Sequence, residues 1–193
     1  MKIVFATSNP NKLKEVKLLL KENYEIINLS DINHTEEIPE PYESIEENSA
    51  HKANVINGLY KINVMAEDTG LEVEALDGAP GVYSARYAGT PSNANKNMDK
   101  LLLSLGNQEN RSAQFKTVCT VIIDGKLKQF TGILKGKIAE TKSGANGFGY
   151  DPIFIPENDS KSLAEFTGEE KSQISHRAKA FKQLFDYLNT LQK

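Results

Sequence analysis

Cysteine and tryptophan are nearly absent from this sequence of 193 residues, which has one cysteine and no tryptophan. A single cysteine excludes an internal disulfide and a cysteine-based zinc site, and the apolar surroundings of Cys119 predict a buried, inert side chain. No stretch approaches the roughly 18 apolar residues of a transmembrane helix. The apolar part of residues 1–6 is too short for a signal peptide. We therefore expect a cytoplasmic protein with no membrane partner.

An excess of basic residues is also missing, because the formal net charge is −3. Proteins that bind nucleic-acid backbones normally present a basic face, so the composition argues against a nucleic-acid partner. A small anionic ligand is still compatible, since a few lysines in one place are enough to bind it. With 39% hydrophobic and 25% charged residues, the composition predicts one bilobed globular domain over residues 1–193.

Helical and strand periodicities alternate along the chain. Strands are predicted at residues 2–6, 24–29, 64–67, 71–75, 115–123, 126–134 and 152–155. Helices are predicted after Asn9-Pro10 (apolar stripe Leu13, Val16 and Leu20), at 44–61, at 93–105, and after Thr167 and Ser175. Ser44 with Glu47 and Thr167 with Glu170 have the spacing of capping boxes, and Ser175 is the predicted cap of the last helix. Asp124-Gly125 predicts a hairpin turn, and residues 31–42 and 77–89 are predicted loops. The mixture of parallel-type and hairpin strands with helices predicts a mixed-sheet α/β fold.

Two adjacent carboxylates, Glu67 and Asp68, end the apolar run that begins at Ile62. Strand interiors disfavour such charges, which indicates an acidic strand end beside a ligand. Successive strand residues face opposite sides, and Asp68 is the favoured site residue because Thr69-Gly70 would let the backbone turn there. A carboxylate in that place would bind Mg²⁺ and orient or deprotonate a water molecule. The alternative is an edge hairpin with solvated acids.

The segment between the first strand and the first helix is polar: it contains Thr7, Ser8, Asn9, Pro10, Asn11 and Lys12. A helix start exposes unpaired N–H groups and the positive end of the helix dipole, and both attract phosphate. The segment lacks the spacing of a Walker loop, and plain N-capping by Asn9 is the alternative explanation. Lys52, on the helix that follows Ser44, is a second candidate phosphate ligand, with a solvated helix face as its alternative.

A glycine-rich loop at residues 144–149 leads into Tyr150-Asp151-Pro152. Phe148 and Tyr150 could stack on a nucleobase, and Asp151 could accept a hydrogen bond from a ring N–H. A hairpin connection with its aromatic rings tucked inward explains the pattern equally well.

Lys171 and the pair His176-Arg177 form another basic group near the end of the chain. Two positive residues at a helix start oppose the helix dipole, which suggests a binding role. A purely structural histidine is an equally common explanation.

Five segments, in order, resemble those of the inosine triphosphate pyrophosphatases of bacterial type, also called XTP/dITP diphosphatases. They are TSNPNKLKEV (7–16), EENSAHKA (46–53), AEDTGLEVEALDGAPGVYSARYAG (66–89), GFGYDPIF (147–154) and EEKSQISHRAKAF (169–181). The resemblance implies a homodimeric α/β enzyme with a mixed central β-sheet flanked by helices and two lobes around an active-site cleft. It also implies Mg²⁺-dependent hydrolysis of ITP, dITP and XTP to the monophosphate and pyrophosphate, which removes these purine nucleoside triphosphates from nucleotide pools.

The resemblance assigns roles residue by residue. Asp68 would bind the metal and accept a proton, with Thr69 alongside. The triphosphate would be held by Thr7, Ser8, Asn9, Pro10, Asn11, Lys12 and Lys52. The base and sugar would be enclosed by Phe148, Gly149, Tyr150, Asp151, Lys171, His176 and Arg177. Donors from Arg177 or from the backbone near His176 would pair with the C6 carbonyl of hypoxanthine or xanthine and confront the amino group of adenine.

One segment departs from the family pattern. Relatives tend to carry a metal-binding glutamate in a Glu-Glu-Thr-Gly-like stretch, whereas residues 36–42 here are interrupted by prolines. Glu40 is the predicted second metal ligand, with Glu37 as the next choice. Two other functions fit the same residues: a triphosphatase for other modified or pyrimidine nucleotides, and a nucleotide-binding regulator without catalysis.

Overall fold

The structure, a computed structural model, describes residues 1–19 and 24–191. Its helices and strands, in chain order, are β1 (Lys2–Phe5), α1 (Pro10–Leu19), β2 (Glu25–Asn28), α2 (Ile45–Tyr60), β3 (Val64–Val73), β4 (Pro80–Gly81), α3 (Ala94–Leu105), β5 (Ser112–Ile123), β6 (Lys126–Ile138), β7 (Phe154–Pro156), α4 (Gly168–Ile174) and α5 (His176–Thr190). In the described part of the chain, seven strands form one sheet in the order β2-β1-β3-β5-β6-β7, with β4 paired to β3. This confirms the predicted α/β fold with a central sheet flanked by helices.

The sheet is mixed because it contains parallel and antiparallel pairs. Strand β1 is parallel to both β2 and β3, whereas β3–β4 and β6–β7 are antiparallel. The predicted hairpin between β5 and β6 is confirmed: Asp124 and Gly125 have φ values of 48° and 75°. Left-handed backbone at both turn residues is what a tight two-residue hairpin requires.

The chain divides into two compact units. Unit 1 comprises residues 1–68, 117–132 and 177–193, and unit 2 comprises residues 69–116 and 133–176. Strands β3, β5 and β6 contribute residues to both units. No described helix combines the length and the apolar character needed to cross a membrane.

Unit 1 buries both faces of its strands in separate hydrophobic clusters. One cluster joins Ile3, Phe5 and Met65 to side chains of α1 and α5, among them Val16, Phe181 and Leu184. The other joins Val4, Ala6, Val64 and Ala66 to Ala53 and Ile56 of α2. Because side chains alternate along a strand, the odd-numbered residues at this end of β3 face α1 and α5, and the even-numbered residues face α2.

Unit 2 has its own core. Helix α3 contributes Met98, Leu101 and Leu105, which pack with strand residues that include Leu71, Val73, Phe115 and Phe154. The predicted capping box of Thr167 and Glu170 at α4 is confirmed, and Asn93 caps α3. Cys119, in unit 1, is buried as predicted.

The predicted turn at Thr69-Gly70 is wrong, and so is the alternative of an edge hairpin. Strand β3 runs without interruption from Val64 to Val73, so it includes residues 71–73 of the strand predicted at 71–75, and a short 3₁₀ helix begins at Glu74. Charge at Glu67 and Asp68 does not end the strand because both carboxylates have cationic partners within unit 1.

Several predicted boundaries also need correction. The predicted loop at 77–89 contains β4 and a short 3₁₀ helix, and β7 begins at Phe154 after a 3₁₀ turn. Leu20, assigned to the stripe of α1, lies outside the described residues.

Candidate active site

Glu67 is the centre of a buried ion-pair network on the face of β3 toward α1 and α5. Its Oε1 lies 3.1 Å from Lys12 Nζ, and its Oε2 accepts a hydrogen bond of 2.9 Å from Arg177 Nε. Arg177 also pairs with Glu15 of α1. Glu67 and Arg177 are each 1% exposed. Two carboxylates and two cations therefore compensate one another where α1, β3 and α5 meet.

The charges in this network stabilise one another's ionised forms. Burial by itself would raise the pKa of Glu67, but Arg177 and Lys12 outweigh it and lower the pKa to about 2. Burial disfavours charged Arg177 as well, yet Glu67 and Glu15 raise its pKa overall. A carboxylate held this strongly in its ionised form is suited to fixing Lys12 and Arg177 in place and is a poor proton carrier.

Asp68 lies on the opposite face of β3, toward α2. Its Oδ1 is 3.3 Å from Lys52 Nζ, and the same ammonium group contacts Oε1 of Glu40. Asp68 is 5% exposed, and its Oδ2 is buried without a hydrogen bond to any residue that the structure describes. Burial raises the pKa of Asp68, against the opposing effect of Lys52. One oxygen of this carboxylate is therefore desolvated.

Lys52 reaches this position because α2 is anchored at its start. Ser44 Oγ accepts a hydrogen bond from the backbone N–H of Glu47, the cap that the sequence predicted. Ala53 and Ile56 bury one side of the helix, and Lys52 itself is buried. Burial lowers the pKa of Lys52, but Asp68 and Glu40 raise it overall. The alternative of a solvated helix face is therefore wrong for Lys52.

The polar segment from Thr7 to Lys12 follows β1 at the start of α1. Asn9 Oδ1 accepts hydrogen bonds from the N–H groups of Asn11 (2.9 Å) and Lys12 (3.4 Å), so Asn9 caps the helix as predicted. Phe5 pairs with Met65 in the parallel register of β1 and β3. The segment therefore leaves the sheet beside Glu67 and Asp68, at the carboxyl end of β1, where open α/β sheets bind ligands.

In unit 2, the glycine-rich loop is folded around the carboxylate of Asp151. Asp151 Oδ2 accepts hydrogen bonds from Lys171 Nζ (2.6 Å) and from the backbone N–H of Phe148 (2.7 Å). Lys171 Nζ also lies 4.9 Å from the centre of the Phe148 ring. At Gly147, with φ of 74°, an added Cβ would stand 2.1 Å from Asp151 Oδ2. A larger residue at this position would therefore have to displace the carboxylate of Asp151.

Two of the predicted base-binding side chains are packed into the core of unit 2. Tyr150 is buried and donates a hydrogen bond of 2.9 Å to the backbone carbonyl of Ser84, and burial raises its pKa. The His176 ring stacks on Phe115 with centroids 4.6 Å apart. Tyr150 therefore matches the alternative of an inward-facing ring, and His176 matches the alternative of a structural histidine. Phe148 and Gly149 are partly exposed.

The predicted site residues thus form two groups. Unit 1 brings Lys12, Lys52, Asp68, Glu40 and Arg177 into two adjoining ion-pair clusters, and unit 2 brings Phe148, Asp151 and Lys171 together. Glu37, the second choice for a metal ligand, is exposed. Thr69 follows Asp68 in β3.

Sequence patterns missed the ion-pair role of Glu15 and Glu67. The spacing of Lys12 and Glu15, three residues apart on one helix, was the available signal, since it places both on one face of α1.

The residues around Asp68 fit a magnesium ion. The described part of the chain contains no group of three or more His, Cys, Asp or Glu side chains that could hold a metal by themselves. Magnesium does not need such a group, because it is usually held by one or two carboxylates together with waters and substrate phosphate oxygens. The buried Oδ2 of Asp68 and the nearby carboxylate of Glu40 match that donor set.

A pocket of about 610 Å³ lies elsewhere, within unit 2. Side chains of both charges line it, including Glu72, Glu74, Lys135 and Lys137. It contains none of the predicted site residues, so cavity size alone does not identify the reactive groups.

Comparison with known proteins gives matches over nearly the whole chain. A Flavobacterium johnsoniae protein named dITP/XTP pyrophosphatase is 55% identical over 97% of this chain and 98% of its own length. A Christiangramia forsetii protein of the same name is 50% identical over 98% of this chain and 100% of its own length. The solved structure of the Staphylococcus aureus Ham1 protein matches with a TM-score of 0.89 and 40% identity, covering 98% of this chain and 99% of that one.

These relatives confirm the resemblance carried by the five sequence segments. The sequence profile of the Ham1 family also matches residues 3–187. The chain belongs to the Ham1 family.

Proposed function

We propose that this protein hydrolyses the non-standard purine nucleoside triphosphates dITP, XTP and ITP to the nucleoside monophosphate and pyrophosphate. The observation that carries the proposal is the buried Asp68, with one oxygen near Lys52 and the other without a hydrogen bond in the described structure. The name of these two relatives, dITP/XTP pyrophosphatase, supports the choice of substrates.

Asp68 and Glu40 would hold a magnesium ion through their carboxylate oxygens. When bound, the ion would neutralise charge on the phosphate oxygens. Asp68 would orient the attacking water and accept its proton.

The lysines and the segment 7–12 would hold the triphosphate. Each ammonium has three N–H donors, so Lys12 and Lys52 retain donors for phosphate while pairing with carboxylates. Lys12 and Lys52 would then offset the charge that grows on the departing pyrophosphate. Side chains of Thr7, Ser8 and Asn11 add neutral donors next to the N-terminus of α1.

The unit 2 group would contact the base and sugar. Phe148 is the stacking surface in this proposal, with Asp151 and Lys171 fixing the loop that presents it. Tyr150, His176 and Arg177 would support the site through packing and ion pairing. The backbone near His176 is the proposed donor to the purine C6 carbonyl, because the buried side chain of Arg177 pairs with Glu67 and Glu15.

A panel of nucleoside triphosphates with Mg²⁺, read by release of pyrophosphate and of orthophosphate, tests the proposal. We expect pyrophosphate from dITP, XTP and ITP, and far less from ATP and the pyrimidine nucleotides. Faster release of pyrophosphate from a pyrimidine or other modified nucleotide would favour the alternative of a triphosphatase for those nucleotides. Nucleotide binding without release of either product would indicate a regulator and overturn the enzymatic proposal.

Assembly and location complete the proposal. We propose a homodimer, which light scattering of the purified protein at several concentrations would test. We also propose a cytoplasmic location, because the nucleotide pools from which the enzyme would remove its substrates are there.

A further inference from the structure

The segment that carries Glu40 has little regular structure of its own. Residues 33–43 contain no helix or strand, and prolines at 39 and 41 flank Glu40. Proline has no backbone N–H, so Tyr42 supplies the first N–H donor after Glu40. A carboxylate on such a segment keeps a defined position only if other parts of the protein hold the backbone.

Asn48 of α2 holds that backbone at Tyr42. Its Oδ1 accepts a hydrogen bond of 3.0 Å from the Tyr42 N–H, and its Nδ2 donates one of 2.9 Å to the Tyr42 carbonyl. The Asn48 side chain is fully buried, with 0% exposure. Both polar groups of one peptide residue are thus paired with both polar groups of one side chain, as a neighbouring strand would pair them.

Two further side chains on the same face of α2 contact this segment. The His51 ring packs edge-on against the Tyr42 ring at 5.4 Å, and Lys52 pairs with Glu40. Positions 48, 51 and 52 are three and four residues apart, so they form one helix face. Between the Asn48 attachment and Glu40 lies only Pro41, whose fixed φ limits how far Glu40 can move.

We propose that Asn48 is a positioning residue that sets Glu40 at the metal site without touching the metal. The inference rests on the proposed function, because it takes Glu40 and Asp68 as the metal ligands. Residues that orient metal ligands typically change metal affinity by 10–100-fold when they are substituted. Loss of the Asn48 amide would also leave the Tyr42 N–H and carbonyl unpaired, which favours displacement of the segment toward water.

The test compares metal binding with phosphate binding in the whole protein. Binding of Mn²⁺ alone is measured by its effect on water proton relaxation, and binding of pyrophosphate alone by calorimetry. The variants are Asn48→Ala, Glu40→Gln and a matched control, Asn57→Ala. Asn57 lies on the same helix and also donates to a backbone carbonyl, that of Ile62 at 2.8 Å, but it is remote in sequence from the Glu40 segment.

Asn48→Ala is expected to weaken Mn²⁺ binding by about 10–100-fold, approaching the loss in Glu40→Gln, with pyrophosphate affinity within about twofold of wild type. Asn57→Ala should lower the melting temperature without changing Mn²⁺ affinity. Weaker Mn²⁺ binding in Glu40→Gln but not in Asn48→Ala would overturn the positioning role alone. Unchanged Mn²⁺ binding in Glu40→Gln would overturn the proposed metal site and this role with it.

If Asn48→Ala does not fold, hydrogen exchange of the wild-type protein tests whether Asn48 holds the backbone of Tyr42. The Tyr42 amide proton should exchange at least about 100-fold more slowly than in an unstructured chain, because it is bonded to a buried side chain. Exchange at the unstructured rate would overturn the proposal.

Discussion

Lys52 and Asp68 form a buried ion pair, with Nζ 3.3 Å from Oδ1, and the same ammonium group also contacts Glu40. The lysine is therefore the counter-ion of both predicted metal ligands. Bringing a divalent cation to these carboxylates would require the ammonium to give up part of its contact with them. A triphosphate would supply the lysine with new acceptors, so binding of metal and of nucleotide should favour each other.

Replacing Lys52 by methionine should separate its stabilising ion pairs from its competition with the metal ion. Without metal, we expect a lower melting temperature, because removing one partner of a buried ion pair costs about 3–5 kcal/mol. Each kcal/mol lowers the melting temperature of a chain of this size by roughly 2–4 °C. Added Mn²⁺ should raise the melting temperature of Lys52→Met by more than that of the wild type. Equal metal-induced shifts, measured by calorimetry beside the exposed-lysine control Lys14→Met, would contradict this relation.

Glu67 should make the protein sensitive to acid. Its folded pKa of about 2 lies below the ordinary value of 4.5, so folding favours the ionised form. At about 1.4 kcal/mol per pH unit, this corresponds to roughly 3 kcal/mol of stability. That stability is complete above about pH 5 and is lost as the pH falls from 4.5 toward 2. Urea unfolding at a series of pH values measures it.

Glu67→Gln is the variant that isolates this contribution. It should be less stable than the wild type at pH 7, since Arg177 and Lys12 lose a buried carboxylate. Its stability should also fall less steeply between pH 4.5 and pH 2. If the stability of the two proteins falls equally steeply with decreasing pH, other carboxylates cause the acid sensitivity.

Two glycines of the loop at 144–149 provide a matched pair of substitutions. Gly147 and Gly149 both have positive φ, 74° and 66°, so alanine is strained at either position. Only at Gly147 would the new Cβ collide with Asp151; at Gly149 nothing lies within 4 Å of it. Gly149→Ala should cost about 1 kcal/mol of stability, whereas Gly147→Ala should cost more and should raise the KM for nucleotide by more than Gly149→Ala does. If the two substitutions change the stability and the KM equally, the position of Asp151 does not matter for nucleotide binding.

The fold was largely predictable because local patterns decide most of its elements. The continuous apolar run at residues 3–6, the Ser44 cap and the Asp124-Gly125 turn each identified an element that the structure contains. The uninterrupted course of β3 was not predictable from local signals. Acidic residues followed by glycine normally end a strand, and here partners distant in sequence compensate the charges.

The sequence indicated which residues belong to the candidate site better than it indicated how they contact one another. The alternation of side chains along a strand correctly indicated that Glu67 and Asp68 face opposite sides of β3. In the structure Glu67 pairs with Lys12 of α1, and Asp68 pairs with Lys52 of α2. The commitment of Arg177 to Glu67, 110 positions away, depends on tertiary contacts that no local pattern contains. The same holds for the pairing of Asn48 with Tyr42, since a buried asparagine on a helix gives no sign of its partner.

The central claim is that Asp68 carries the hydrolysis, and one measurement tests it most directly. Pyrophosphate release from dITP and XTP with Mg²⁺ is compared in the wild type and in Asp68→Asn, with nucleotide binding measured in parallel by calorimetry. A positioned proton acceptor typically contributes 10²–10⁴-fold, so kcat should fall by at least about 100-fold while the nucleotide still binds. Turnover in Asp68→Asn within about twofold of the wild type would contradict the account.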